Sequence, residues 1–313
     1  LTPRDSGDGR RGVNVFRSEE GRRKVYESYD RLVAAWGVDA EQRDLETSYG
    51  KTHAILAGDP SAPPLLLFHG VGDDSAVMWV RNAAGLASRF RLIAVDTMGG
   101  AGKSVPDERY RRGFDTARWQ TDVMDALGIG RASAAGVSYG SYMVQLLAIR
   151  HPERLDRAVG MSGALFCAGA RRKSLGRMLR VLLPAVLPFG GGRERAFEAL
   201  TGPKRAEVIA AVPGLKEHWD LARAEYRSAS QRFHKRAEFT DEEIASLRGR
   251  CLFIIGGEDA LFYEQAMEGF ERYGVRHVVM DGAGHALNAE EPEATNGFIV
   301  DFLSERREGG AAG

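Results

Sequence analysis

An α/β fold with a mostly parallel, doubly wound sheet and a helical cap insertion is predicted by three features of this 313-residue chain. From about residue 50, short apolar runs alternate with amphipathic stretches, the pattern of a parallel sheet covered on both faces. That alternation breaks between about Ala164 and Arg248, where helix-like segments are joined by Pro184, Pro188, Gly190-Gly191-Gly192, Pro203 and Pro213. Within the alternating region lies Gly136-Val137-Ser138-Tyr139-Gly140, a sharp turn with an apolar run before it and a helix-like run after it.

Residues 1–17 read as a flexible tail. Leu1–Gly12 is charged and glycine-rich and has no apolar h-region, so it does not resemble a signal peptide; because the chain opens on Leu, a processed leader stays open. Ser18–Trp36 has the spacing of an amphipathic helix packed on the outside. Strands are expected at Thr52–Leu56, Leu65–Phe68, Leu92–Val95, Ala132–Val137, Arg157–Met161, Leu252–Ile255 and His277–Met280. Helices are expected at Ala76–Ser88, Arg118–Leu127, Tyr142–Arg150, Tyr263–Tyr273 and Ala294–Glu305. Residues 18–163 then form the first part of the core, 164–248 a helical lid, 249–306 the second part, and 307–313 a disordered tail.

Composition narrows the function. The 43 basic and 43 acidic residues balance, so no net field recruits nucleic acid or a membrane surface. No apolar stretch is long enough to span a bilayer. Cys167 and Cys251 lack metal-ligand spacing and read as small core residues, which favours a reducing, cytoplasmic setting; no metal is expected.

The turn at Ser138 carries chemistry. Glycines on both sides let a nucleophile elbow close tightly and leave the hydroxyl projecting above the sheet. A serine hydroxyl needs a base, and the base needs an orienting acid. His285, in the glycine-rich loop Asp281–His285 after the last strand, is the candidate base. Asp259, at the end of Gly256-Gly257-Glu258-Asp259, is the chosen acid, with Glu258 as the neighbouring alternative. His69-Gly70-Val71-Gly72 follows the strand Leu65–Phe68 and supplies a turn whose backbone amides can face an oxyanion. The donors are assigned to Val71 and Tyr139, with His69, Gly70, Gly136 and Gly140 supporting the loops.

Ser138, Asp259 and His285 in this order, with His69-Gly70 ahead of them, resemble the α/β-hydrolase superfamily over roughly Thr47 to Glu305. Within it, Phe16–Gly21 and Pro63–Gly70 are similar to bacterial carboxylesterases of the naproxen-esterase type. Asp96-Thr97-Met98-Gly99-Gly100-Ala101-Gly102-Lys103-Ser104 is one residue longer than the superfamily pattern Asp-x-x-Gly-x-Gly-x-Ser. Gly102-Lys103-Ser104 imitates a phosphate-binding loop, but the required first glycine falls at Thr97.

The resemblance implies a cofactor-free serine hydrolase that cleaves a small or medium apolar ester through an acyl-enzyme on Ser138. The fold also hosts lactonases, thioesterases, other tailoring hydrolases or lyases, and non-catalytic binding proteins. Leu183, Leu187 and Phe189 are expected either to line the substrate pocket or to pack the lid onto the core. The basic runs Arg171-Arg172-Lys173 and Lys235-Arg236 read as a solvated face, with docking of an acidic carrier protein as the alternative.

Overall fold

The computed structural model describes residues 13–170, 172–173, 176–177 and 202–305, and elements are numbered over these residues. Helix α1 (Glu19–Ala34) begins where the Ser18 hydroxyl accepts the Gly21 amide at 2.9 Å, with Glu19 and Glu20 in its first turn. Nine strands form one sheet: β1 (Ala40–Thr47), β2 (Gly50–Ala57), β3 (Pro64–Phe68), β4 (Arg91–Val95), β5 (Val105–Pro106), β6 (Ala132–Val137), β7 (Leu155–Met161), β8 (Cys251–Gly256) and β9 (Arg276–Met280). Their spatial order is β1-β2-β4-β3-β6-β7-β8-β9, with β5 on β2. The pairs β1–β2 and β2–β4 are antiparallel, and the path from β4 to β9 is parallel.

Alternate side chains of the parallel strands feed two cores. Leu66, Phe68, Ile93, Val95, Phe253 and Ile255 lie on one face; Leu65, Leu67, Leu92, Ala94, Leu252 and Ile254 lie on the other. Helices α4 (Thr116–Ala126), α5 (Tyr139–Arg150) and α9 (Tyr263–Tyr273) close the first core. The second is closed by α1, α2 (Ser75–Trp79), α3 (Ala83–Ala87) and α11 (Pro292–Ser304). Burying both faces forces the continuous apolar strands that made the sheet readable.

Besides the short β5 and a short helix at Leu287–Glu290, two larger elements differ from expectation. The edge strand β1 exposes Glu41, Gln42, Arg43 and Asp44, so its charged sequence hides its strand character. The expected helix Ala76–Ser88 is two short helices. It breaks at Asn82, whose buried side-chain amide donates to the Asn288 carbonyl and to Asn296 Oδ1, each at 3.0 Å.

Within 164–248 the described elements are α6 (Arg205–Ala211), α7 (Leu215–Glu225), a 3-10 turn (Ser228–Gln231) and α8 (Asp241–Ala245). Helix α7 packs on α1, with Glu225 against Gly21 and Arg31 paired to Glu217 at 2.9 Å. Arg171, Leu183, Leu187 and Phe189 lie outside the described residues. A short helix, α10 (Leu287–Glu290), links the loop after β9 to α11.

Register brings the loops that matter to one edge. Phe68 pairs with Gly136, Val137 with Met161, Met161 with Ile254, and Gly256 with Met280. The segments after β3, β6, β8 and β9 therefore leave the sheet side by side at the carboxyl ends of its strands, where open α/β sheets hold ligands.

Candidate active site

Ser138 sits between β6 and α5 with φ 56° and ψ −110°, a conformation costing a non-glycine residue about 1–3 kcal/mol. The turn is held by the Ser138 amide donating to the Met161 carbonyl at 2.8 Å. Close packing dictates the flanking glycines. A β-carbon on Gly136 would lie 2.2 Å from the Gly140 carbonyl oxygen, and one on Gly140 would lie 2.2 Å from that of Phe68. The strand, the helix and β3 thus approach too closely for any side chain at either position.

The loop after β3 is fixed by His69. The Thr97 amide donates to His69 Nε2 at 2.9 Å, which leaves the proton on Nδ1 to donate to the Gly70 carbonyl at 2.8 Å. Both ring nitrogens are thereby occupied, and His69 braces the loop. Gly70 lies against Ser138: its β-carbon position is 3.5 Å from Ser138 Cβ. The Val71 side chain is exposed, and its amide is in no backbone hydrogen bond among the described residues. The Tyr139 amide is the first of α5 and has no partner within that helix.

His285 and Asp259 meet across the loops after β9 and β8. His285 Nδ1 donates to Asp259 Oδ2 at 3.0 Å, while Asp259 Oδ1 accepts the Leu261 and Phe262 amides at 2.9 and 3.0 Å. Glu258 is exposed, one residue away, and its amide goes to the Ala283 carbonyl. Burial works against charging either partner. For Asp259 the opposing imidazole and the two amides win, and its pKa lies below the ordinary carboxylate value. For His285 the Asp259 carboxylate outweighs burial, and its pKa is raised. Nε2 of His285 has no partner among the described residues and is free to exchange a proton.

Further residues hold this edge together, and the sequence did not single them out for it. Glu290 accepts the Gly284 amide at 3.0 Å, anchoring the residue before His285. The Tyr139 hydroxyl donates to His234 Nδ1 at 2.9 Å, and His234 Nε2 donates to the Met98 carbonyl at 2.6 Å. Burial pushes the His234 pKa down to about 4, consistent with this neutral ring. His218, on α7, donates from Nε2 to Asp74 at 2.6 Å and meets Ser28 Oγ through Nδ1 at 3.1 Å. None of these pairings has a local spacing signal, because the partners lie on different elements.

The lengthened loop Asp96–Ser104 wraps its own aspartate. Asp96 accepts the Ser75 amide at 2.9 Å and the Lys103 amide at 2.7 Å, and the Ser104 hydroxyl donates to the Asp96 carbonyl at 2.7 Å. Lys103-Ser104 leads into the two-residue β5, so no helix follows it as a phosphate-binding loop requires.

The family model for the alpha/beta hydrolase fold matches residues 63–292, which span every loop of this edge. The chain belongs to the α/β-hydrolase fold family. This hydrolase is 32% identical to carboxylesterase YbfK of Bacillus subtilis, over 92% of this chain and 96% of that one. The solved structure of carboxylesterase CesB (YbfK) from the same organism superposes with a TM-score of 0.73 at 29% identity, covering 91% of this chain and 99% of that one. Naproxen esterase (carboxylesterase NP) of B. subtilis superposes with a TM-score of 0.75 at 26% identity, covering 92% and 99%. The likeness carried by Phe16–Gly21 and Pro63–Gly70 is borne out by these relatives.

Proposed function

We infer that this member of the family hydrolyses carboxylic esters, with Ser138 as nucleophile, His285 as general base and acid, and Asp259 as the orienting acid. The observation that supports the assignment is the buried His285–Asp259 hydrogen bond, which leaves Nε2 without a partner among the described residues at the same sheet edge as the strained elbow. Ser138 attacks the ester carbonyl as its proton passes to His285. The imidazolium, held by Asp259, then protonates the leaving alcohol. Water deprotonated by His285 releases the acyl group. We assign the oxyanion to the amides of Val71 and Tyr139, on either side of the Gly70–Ser138 contact. These steps use side chains, backbone amides and water.

We propose that the segment 164–248 covers the site as a lid. His218 and His234, both within it, reach Asp74 in the loop after β3 and Tyr139 beside the nucleophile. No helix among the described residues is long and apolar enough to cross a membrane. Both cysteines are free thiols, in keeping with a cytoplasmic setting.

The test is turnover of matched ester, thioester and lactone panels by the wild-type protein and by Ser138→Ala. Ester turnover that disappears in a folded Ser138→Ala protein is the expected result. Persistent turnover in that variant would overturn the assignment.

A further inference from the structure

The residue after the oxyanion turn, Asp73, has no role in the mechanism above, yet its carboxylate borders the same space over Gly70 as Ser138 does. The point that a Gly70 side chain would occupy is 3.5 Å from Ser138 Cβ, 3.6 Å from Asp73 Oδ2 and 3.6 Å from Met78 Cε. Its neighbour Asp74 is fully engaged, capping α2 through the Val77 amide and pairing with His218. Asp73 is half-buried and has no hydrogen-bond or ion-pair partner among the described residues. A carboxylate that no side chain pairs, held near a reaction that builds an oxyanion, repels anionic substrates and favours cationic ones. A substrate cation placed between the two negative charges relieves both.

We propose that Asp73 is a specificity-determining residue that selects esters bearing a cationic ammonium group near the scissile carbonyl. This rests on the ester-hydrolase reading of Ser138. The apolar Met78 methyl, which borders the same space over Gly70, suits the alkyl substituents of a quaternary ammonium.

The groups facing Asp73 are Asp74 and His69 on its own loop, His218 on α7, and His285 after β9. Burial, then Asp74, push its carboxyl up to about 6, while the three histidines pull the other way. Selectivity should therefore be full above neutral pH and fade as the carboxyl protonates through that value.

The experiment compares kcat/KM for a trimethylammonium ester with that for its isostere in which a quaternary carbon replaces the nitrogen. The pair is run with the group on the acyl side and again on the alcohol side. A quaternary ammonium does not titrate, so pH acts only on the protein. We expect the wild-type protein to prefer the cation about tenfold or more on one side. The preference should collapse toward unity in Asp73→Asn and survive in Asp73→Glu. A wild-type ratio of unity or below on both sides, or an unchanged ratio in folded Asp73→Asn, would overturn the proposal. Should Asp73→Asn fail to fold, the wild-type pH series decides: a ratio that stays constant from pH 8 to 5 overturns the proposal, and one that fades supports it. A fluorophosphonate run in parallel separates the two levels. Failure to label Ser138 overturns the ester-hydrolase reading itself and the selectivity with it, whereas a labelled Ser138 with no charge preference overturns the selectivity alone.

Discussion

Two buried histidine–aspartate pairs lie at the same end of the sheet and differ in what their second ring nitrogen meets. His285 gives Nδ1 to Asp259 and keeps Nε2 without a partner among the described residues. His218 gives Nε2 to Asp74 and spends Nδ1 on Ser28 Oγ. In both, the carboxylate overcomes burial and raises the histidine pKa, so the electrostatics alone do not tell the pairs apart. Availability of the remaining nitrogen does. A ring bonded at both nitrogens ties α7 to α1 and to the turn before α2, whereas a ring with one free nitrogen can shuttle a proton.

The largest expected effect is on activity, at the His285–Asp259 pair. Asp259→Asn should lower kcat by about 10⁴-fold, on the scale seen when a triad acid is neutralised, while Glu258→Gln should stay near wild type. Equal losses in two folded variants would dissolve the distinction between these neighbouring acids.

The second effect is on stability. His218→Ala leaves Asp74 as a buried charge without its ion-pair partner and should cost about 3–5 kcal/mol in a denaturant titration. The double variant His218→Ala/Asp74→Ala should lose less than the sum of the single changes, because the charge goes with its partner. A cost for His218→Ala below about 1 kcal/mol would show that the pair does not tie the helices.

Most of the fold was legible because burial on both faces leaves continuous apolar strands, as at Leu65–Phe68 and Leu252–Ile255. The elbow was legible for a similar reason: Gly136 and Gly140 are forced by backbone atoms 2.2 Å from any β-carbon, so the constraint is written locally. Asp259 and His285 could be placed from the ends of their strands. Asp73, Asp74, His218, His234 and Glu290 could not be placed in this way. The surroundings of Asp73 and the partners of the other four are set by tertiary packing, and a lone histidine on a helix such as α7 gives no sign of the aspartate it meets across the fold. The charged edge strand β1 was hidden by its solvent exposure.

A smaller effect sharpens the comparison through pH. In the proposed mechanism His285 must be neutral to accept the Ser138 proton, and its pKa is raised. The acid limb of kcat/KM should therefore fall as pH drops through a value above the ordinary ~6.5. An acid limb below ~6.5 would contradict the raised value. The stability contributed by the other pair has its own window. His218, with a raised pKa, contributes fully below ~6.5 and loses that contribution as pH rises through the raised value. Asp74, with a lowered pKa, contributes above ~3.9 and loses that contribution as pH falls through the lowered value. The Tm difference between wild type and His218→Ala should thus be greatest between about pH 4 and 6.5 and narrow at alkaline pH.

Covalent labelling tests the central claim most directly. A fluorophosphonate, with the adduct located by mass spectrometry, should modify Ser138 in the wild-type protein and in any His218→Ala protein that remains folded. His285→Ala should reduce the labelling rate by orders of magnitude. An adduct on a different serine, or labelling that survives loss of His285 but vanishes with loss of His218 in folded protein, would contradict the account.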